Sequence, residues 1–98
     1  MPDPLEIIGK VDAELHGAVG ACRDLALSDG ALDAKTKILI ALALDAAHGA
    51  DNGVKSLAVQ ALQKGASKEE ILEAVRVAYF VAGVGSVYTA ASGLAGVL

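Results

Sequence analysis

Apolar residues near the start of the chain recur at helical spacing, with Leu5, Ile8, Val11, Leu15, Val19 and Cys22 on one stripe. Before them, Asp3-Pro4-Leu5-Glu6 supplies a capping acid, a proline and a first-turn acid. A first helix is therefore predicted to about Leu27, with Gly9, Gly17 and Gly20 inviting a kink or split. Ser28-Asp29-Gly30 reads as a loop, and Asp33 as the cap of a second helix. Residues Ile38 to Leu44 of that helix are apolar on every side, which a helix tolerates only when neighbours surround it. It is the predicted centre of the fold, ending at His48-Gly49. Asp51 is the expected cap of a third helix, which Gly65 stops. Ser67 to Glu70 forms a capping box for a fourth, carrying Ile71, Leu72, Val75, Ala78 and Tyr79. Gly83-Val84-Gly85-Ser86 breaks the pattern, and Ser86 is the expected cap of a fifth helix reaching about Gly96. No stretch alternates apolar and polar residues as a half-buried strand would, so the expected class is all-α with about five helices.

Composition narrows the reading. With 98 residues, the chain has room for one core, and residues 1–98 are read as a single domain. Hydrophobic residues make up 54% and charged residues 20%, which excludes disorder. A mean hydropathy of +0.51 is high for a small monomer, whose surface-to-volume ratio leaves many apolar side chains unburied. That excess predicts a homo-oligomer. The twenty alanines and eleven glycines let helices approach closely, as a bundle repeated about a symmetry axis requires.

A net charge of −4 provides no basic footprint for nucleic acid. Val77 to Leu98 carries no charge, but its glycines, serines, threonine and tyrosines favour a buried C-terminal hairpin over a membrane span. The start MPDPLEIIGKVDAE has acids where a secretory signal needs basic residues. Cys22 has no partner for an intramolecular disulfide, and the expected compartment is a reducing, prokaryotic cytoplasm. No structural metal and no cofactor are implied.

The order and spacing of the helices between Leu32 and Glu73 resemble the alkylhydroperoxidase-D-like, or carboxymuconolactone decarboxylase, family. The markers are Leu32-Asp33 opening the central helix and Gly65-Ala66-Ser67 followed by Glu69-Glu70-Ile71 and Glu73. Gly83 to Ala91 loosely matches the Gly-rich opening of the family's last helix. The resemblance implies a compact antiparallel bundle that assembles as a homotrimer or homohexamer. It also implies a Cys-x-x-Cys-x-x-x-His motif at the start of the middle helix, with a Glu twelve residues before the first Cys. In this chain the motif positions are Ala50, Gly53 and Leu57, and the Glu position is Ile38. A thiolate, its resolving thiol and a proton relay are all missing, so the family's redox route is excluded on residue identity. Leu57 likewise cannot do the acid–base work of the decarboxylase branch's His.

The resulting expectation is a catalytically degenerate, homo-oligomeric member that binds an unidentified small ligand. Two alternatives remain. One is an enzyme of unassigned chemistry, with His48 as base and Asp45, three residues earlier on the same helical face, orienting it. The other is a partner subunit of an active paralogue. Around His48, Asp51 and Asn52 form a candidate binding group, whose plainer reading is helix capping and solvated charge. Cys22 is read as a small buried hydrophobe on the first stripe, and His16 as a surface residue. On the fourth helix, Glu73 and Arg76 are spaced to pair with each other. Gly83-Val84-Gly85 lacks the preceding strand and third glycine of a dinucleotide turn.

Overall fold

The computed structural model describes residues 4–98, so Asp3, the expected first cap, lies outside the described residues. Six helices follow in order: α1 (Glu6–Val11), α2 (Ala13–Leu27), α3 (Ala34–Ala47), α4 (Asp51–Gln63), α5 (Lys68–Ala82) and α6 (Gly85–Leu94). No strand occurs among the described residues, and the class is all-α as expected. No described helix is long and apolar enough to cross a membrane.

Local chemistry places most of the boundaries. The Asp33 side chain accepts the Thr36 N–H at 2.8 Å to start α3. Ser67 and Glu70 form a reciprocal capping box at α5, with bonds of 3.0 and 2.8 Å. Gly49, Gly65 and Gly83 take positive φ after α3, α4 and α5, where a side chain would be strained.

Three starts differ from expectation. The long first helix does split, but at Asp12, where φ is −151° and the side chain caps α2 through the Leu15 N–H. A capping acid outcompetes the weak propensity of nearby glycines as a breaker. Asp51 is the first residue of α4 rather than its cap, with Ala50 in the cap position. Ser86 lies inside α6, which Val84 starts, and its buried hydroxyl donates to the Ala78 carbonyl at 3.4 Å. Glu73 and Arg76 form no ion pair with each other.

α3 is the centre, touching α2, α4, α5 and α6. Its Ile38, Leu42 and Ala46 follow one face and meet Val54, Ala58 and Ala61 of α4, Ile71, Val75 and Ala78 of α5, and Ala90 and Leu94 of α6. Leu42, Ile71 and Val54 are the largest fully buried side chains, each contributing about 1.5–3 kcal/mol by burial. Alanine fills much of the remainder, so the helices pack at short range. Of the residues the capping box precedes on α5, Ile71, Val75 and Ala78 are buried, whereas Leu72 and Tyr79 are exposed.

The N-terminal third is built differently. Neither α1 nor α2 contains a buried residue. The His16 ring lies against Gly9, where a Cβ would sit 3.3 Å from Cδ2, and this contact ties α1 to α2. Leu27 packs on the core at the end of α2, and the preceding turns form an arm whose Ile7, Val11, Leu15 and Val19 face solvent. Cys22 is exposed on this arm, which corrects its reading as a buried hydrophobe. The stripe on which it was placed has no core beneath it within one chain.

The α5 capping box makes stability pH-dependent. Bonds from the Ser67 backbone N–H and then from Lys35 hold the Glu70 carboxyl below its ordinary value. A lowered folded-state pKa stabilises above the unfolded value and loses that contribution as pH falls through the folded one. The urea midpoint of the parent should therefore decline on acidification more steeply than that of Glu70→Gln. Equal acid sensitivity would contradict this role for Glu70.

Candidate functional site

α3 and α4 run antiparallel through a tight turn, which brings the end of α3 against the first turn of α4. The Ala50 N–H donates to the Asp45 carbonyl at 2.9 Å, and Gly49 with positive φ reverses the chain. Within this corner the Asp45 carboxylate lies against Gly53, occupying the space a Cβ there would need. A Cβ at Gly53 would come within 2.8 Å of Asp45 Cγ. The first turn of a helix favours an anion, and here the carboxylate of the preceding helix stands beside it.

The four positions singled out in the sequence have distinct fates. Ile38 is buried in the core, and Leu57 is half-buried and packed against it. Ala50 is the half-buried cap residue of α4, and Gly53 is closed off by Asp45. Ile38 and Leu57 thus belong to the hydrocarbon core, and the neighbour of Gly53 is the Asp45 carboxylate.

Asp45 and His48 are not joined by a hydrogen bond or ion pair. Asp45 turns toward α4, while His48 is the exposed C-cap residue of α3, its backbone N–H donating to the Leu44 carbonyl at 3.0 Å. One Asp51 oxygen accepts the Asn52 N–H at 2.9 Å, and the other accepts the Ser92 hydroxyl at 3.1 Å, which fastens α6 to α4. Asn52 is exposed. Among the described residues, no three His, Cys, Asp or Glu side chains are grouped to hold a metal ion.

The chain also forms a cleft that the sequence did not reveal. It lies where the end of α2 leans on α3 and α4, with a volume of about 350 Å³, and its floor is Leu27, Ala34 and Ile38. Arg23, Asp24, Gln60 and Lys64 stand around it. Arg23 Nη2 donates to Gln60 Oε1 at 2.6 Å, and Gln60 Nε2 in turn donates to Ser56 Oγ at 3.1 Å. Arg23 and Gln60 are 37 residues apart in the chain, and no local motif signals their meeting.

A family model described as the carboxymuconolactone decarboxylase family matches residues 13–95. Among solved structures, the chain is similar to a protein of Legionella pneumophila described as a carboxymuconolactone decarboxylase family protein and crystallised in its apo form. The two share 33% identity over 93% of this chain and 81% of the other, with a TM-score of 0.88. No curated protein matches the chain.

Proposed function

Because the chain belongs to the carboxymuconolactone decarboxylase family, we propose that it is a homo-oligomeric member that has lost the family's thiol and decarboxylase chemistry and works by binding. The observation that carries this reading is the state of the motif positions. Ile38 and Leu57 pack as core hydrocarbon, and neither Ala50 nor Gly53 carries sulfur. A peroxide-reducing cycle needs a thiolate and a resolving thiol within disulfide reach. Cys22, the one cysteine, is on the exposed arm and not at the start of α4.

Assembly is supported by the surface the single chain leaves open. Its accessible area is 6352 Å², about 1,200 Å² more than the roughly 5,200 Å² expected of a compact monomer of this mass. Its radius of gyration is 14.0 Å, against about 12.6 Å for a compact chain of this length. The excess is larger than the share one partner contributes to a standard specific interface, on the order of 800 Å². Apolar side chains supply it, from Val11 and Leu15 on the arm to Leu44, Phe80, Val81 and Tyr88 on α3, α5 and α6.

The test of the chemistry is reduction of an organic hydroperoxide with a dithiol reductant. Neither the parent nor Cys22→Ser should turn over. Turnover abolished by Cys22→Ser would overturn the proposal. Activity insensitive to that change but lost in His48→Ala would also overturn it, in favour of an enzyme that uses His48.

A further inference from the structure

The geometry points to the groove between α3 and α5 as the seat of the α1–α2 arm of a second copy. Copies then join head to tail, each giving its arm to one neighbour and taking the arm of another. This rests on the homo-oligomeric reading above and adds which two surfaces meet. The groove has a volume of about 380 Å³, with Leu39, Ile40 and Ala43 of α3 on one side and Ala74 and Val77 of α5 on the other. Its charged lining residues, Glu70 and Glu73, stand at one end, where Glu70 is already paired with Lys35 at 3.0 Å. Toward the other end, helical spacing continues the same face to Leu44 on α3 and to Phe80 and Val81 on α5. All three are exposed, Phe80 by 90%. The groove therefore opens onto an apolar face that a single chain leaves in water.

An amphipathic helix without a partner fits such a groove, and this chain carries one. Ile7, Val11, Leu15 and Val19 recur every fourth residue and are exposed, on an arm with no buried residue. On α2, Leu15 to Cys22 rises about 10 Å, and the groove wall from Thr36 to Leu44 runs about 12 Å. The chain's own arm is on the wrong side of α3. Its root, Leu27, meets α3 beside Ala34 and Ile38, and Thr36, Ile40 and Ala43 lie roughly half a turn around that helix. A groove that takes an arm thus takes it from a neighbour. Two different patches on one chain make a heterologous contact, which generates a ring when the rotation closes. Such a chain has two junctions to cover, which accounts for an area excess of about 1,200 Å² where one partner's share of one interface is about 800 Å².

Cross-linking and mass test the pairing. On a Cys22→Ser background, the double variant Leu15→Cys with Ile40→Cys carries one thiol on the arm and one on the groove. A short bis-maleimide should link it into a ladder that rises to the mass of the whole assembly, and neither single variant should give a ladder. Ile40→Asp, which puts a charge in the groove, should lower the mass in light scattering to that of one chain. Val59→Asp, at a comparably exposed apolar position on α4, should leave the mass unchanged. Ile40 is exposed in the single chain, so circular dichroism should show the helices of Ile40→Asp retained. A parent with the mass of one chain would refute the homo-oligomeric reading itself. An assembled parent whose mass Ile40→Asp leaves unchanged would overturn the pairing alone. So would a covalent dimer from Leu15→Cys without Ile40→Cys, which would place arm against arm, or a double variant linked only within one chain.

Discussion

Gly93→Val is expected to lower the unfolding free energy by about 3 kcal/mol, the upper end of what overpacking costs. Gly93 is buried on α6 at its crossing with α4. A Cβ there would lie 2.8 Å from Val54 Cβ and 2.5 Å from the Asp51 carbonyl oxygen. Neither neighbour can yield easily, since one is backbone in the first turn of α4 and the other is a fully buried side chain. Two further methyl groups enlarge the conflict. Gly93→Ala should also destabilise, by about 1–2 kcal/mol, although alanine is the better helix former by about 1 kcal/mol. Chemical denaturation monitored by circular dichroism measures both. An alanine variant as stable as the parent would mean that α6 can move away from α4.

Ile38→Glu, which restores only the acid of the family's relay, is expected to cost roughly 3 kcal/mol or more at neutral pH. Ile38 is 3% exposed and packs in the core cluster, with no imidazole at Leu57 to receive a proton or a hydrogen bond. Burial raises a carboxyl pKa, so the folded protein prefers the neutral acid. The penalty should therefore shrink as pH falls toward and below the unfolded carboxylate value near 4.3. Urea titrations of parent and variant at pH 7 and pH 4 report this difference. A variant as stable as the parent at both pH values would show that the new carboxylate reaches the cleft and pairs there with Arg23. Position 38 would then be open to solvent and not a sealed part of the core.

The sequence made the central bundle legible because its signals are local. Asp33, Ser67 and Glu70 cap through bonds spanning three residues, and the glycines after α3, α4 and α5 mark chain reversals. The all-round apolar stretch from Ile38 to Leu44 identified α3 as the centre, although Ile40 and Leu44 face outward in the single chain. Starts without a strong cap were misplaced, as at Val84, where Ser86 is turned inward to the Ala78 carbonyl. The stripe on α1 and α2 was read correctly as apolar but wrongly as covered within the chain. Periodicity reports that a face is apolar and cannot say which molecule covers it.

The candidate site was legible only in what it lacks. Residue identity alone removed the thiols and the relay. It could not foresee that Asp45 would turn to Gly53 and not to His48, because a glycine in the first turn of α4 opens a space that only the folded corner displays. Nor could it find the cleft. Arg23, Gln60 and Lys64 lie on two helices that come together through tertiary packing, and each looks like ordinary surface in the chain.

The proposed assembly would cover an arm that has no buried residue in the single chain, and mass in solution tests it most directly. Light scattering coupled to size exclusion at micromolar concentration should give three or six times the 9.8 kDa mass of one chain. Replacing Val11 and Leu15 with aspartate should lower that mass. A parent that elutes as a stable, fully helical particle of 9.8 kDa would contradict it.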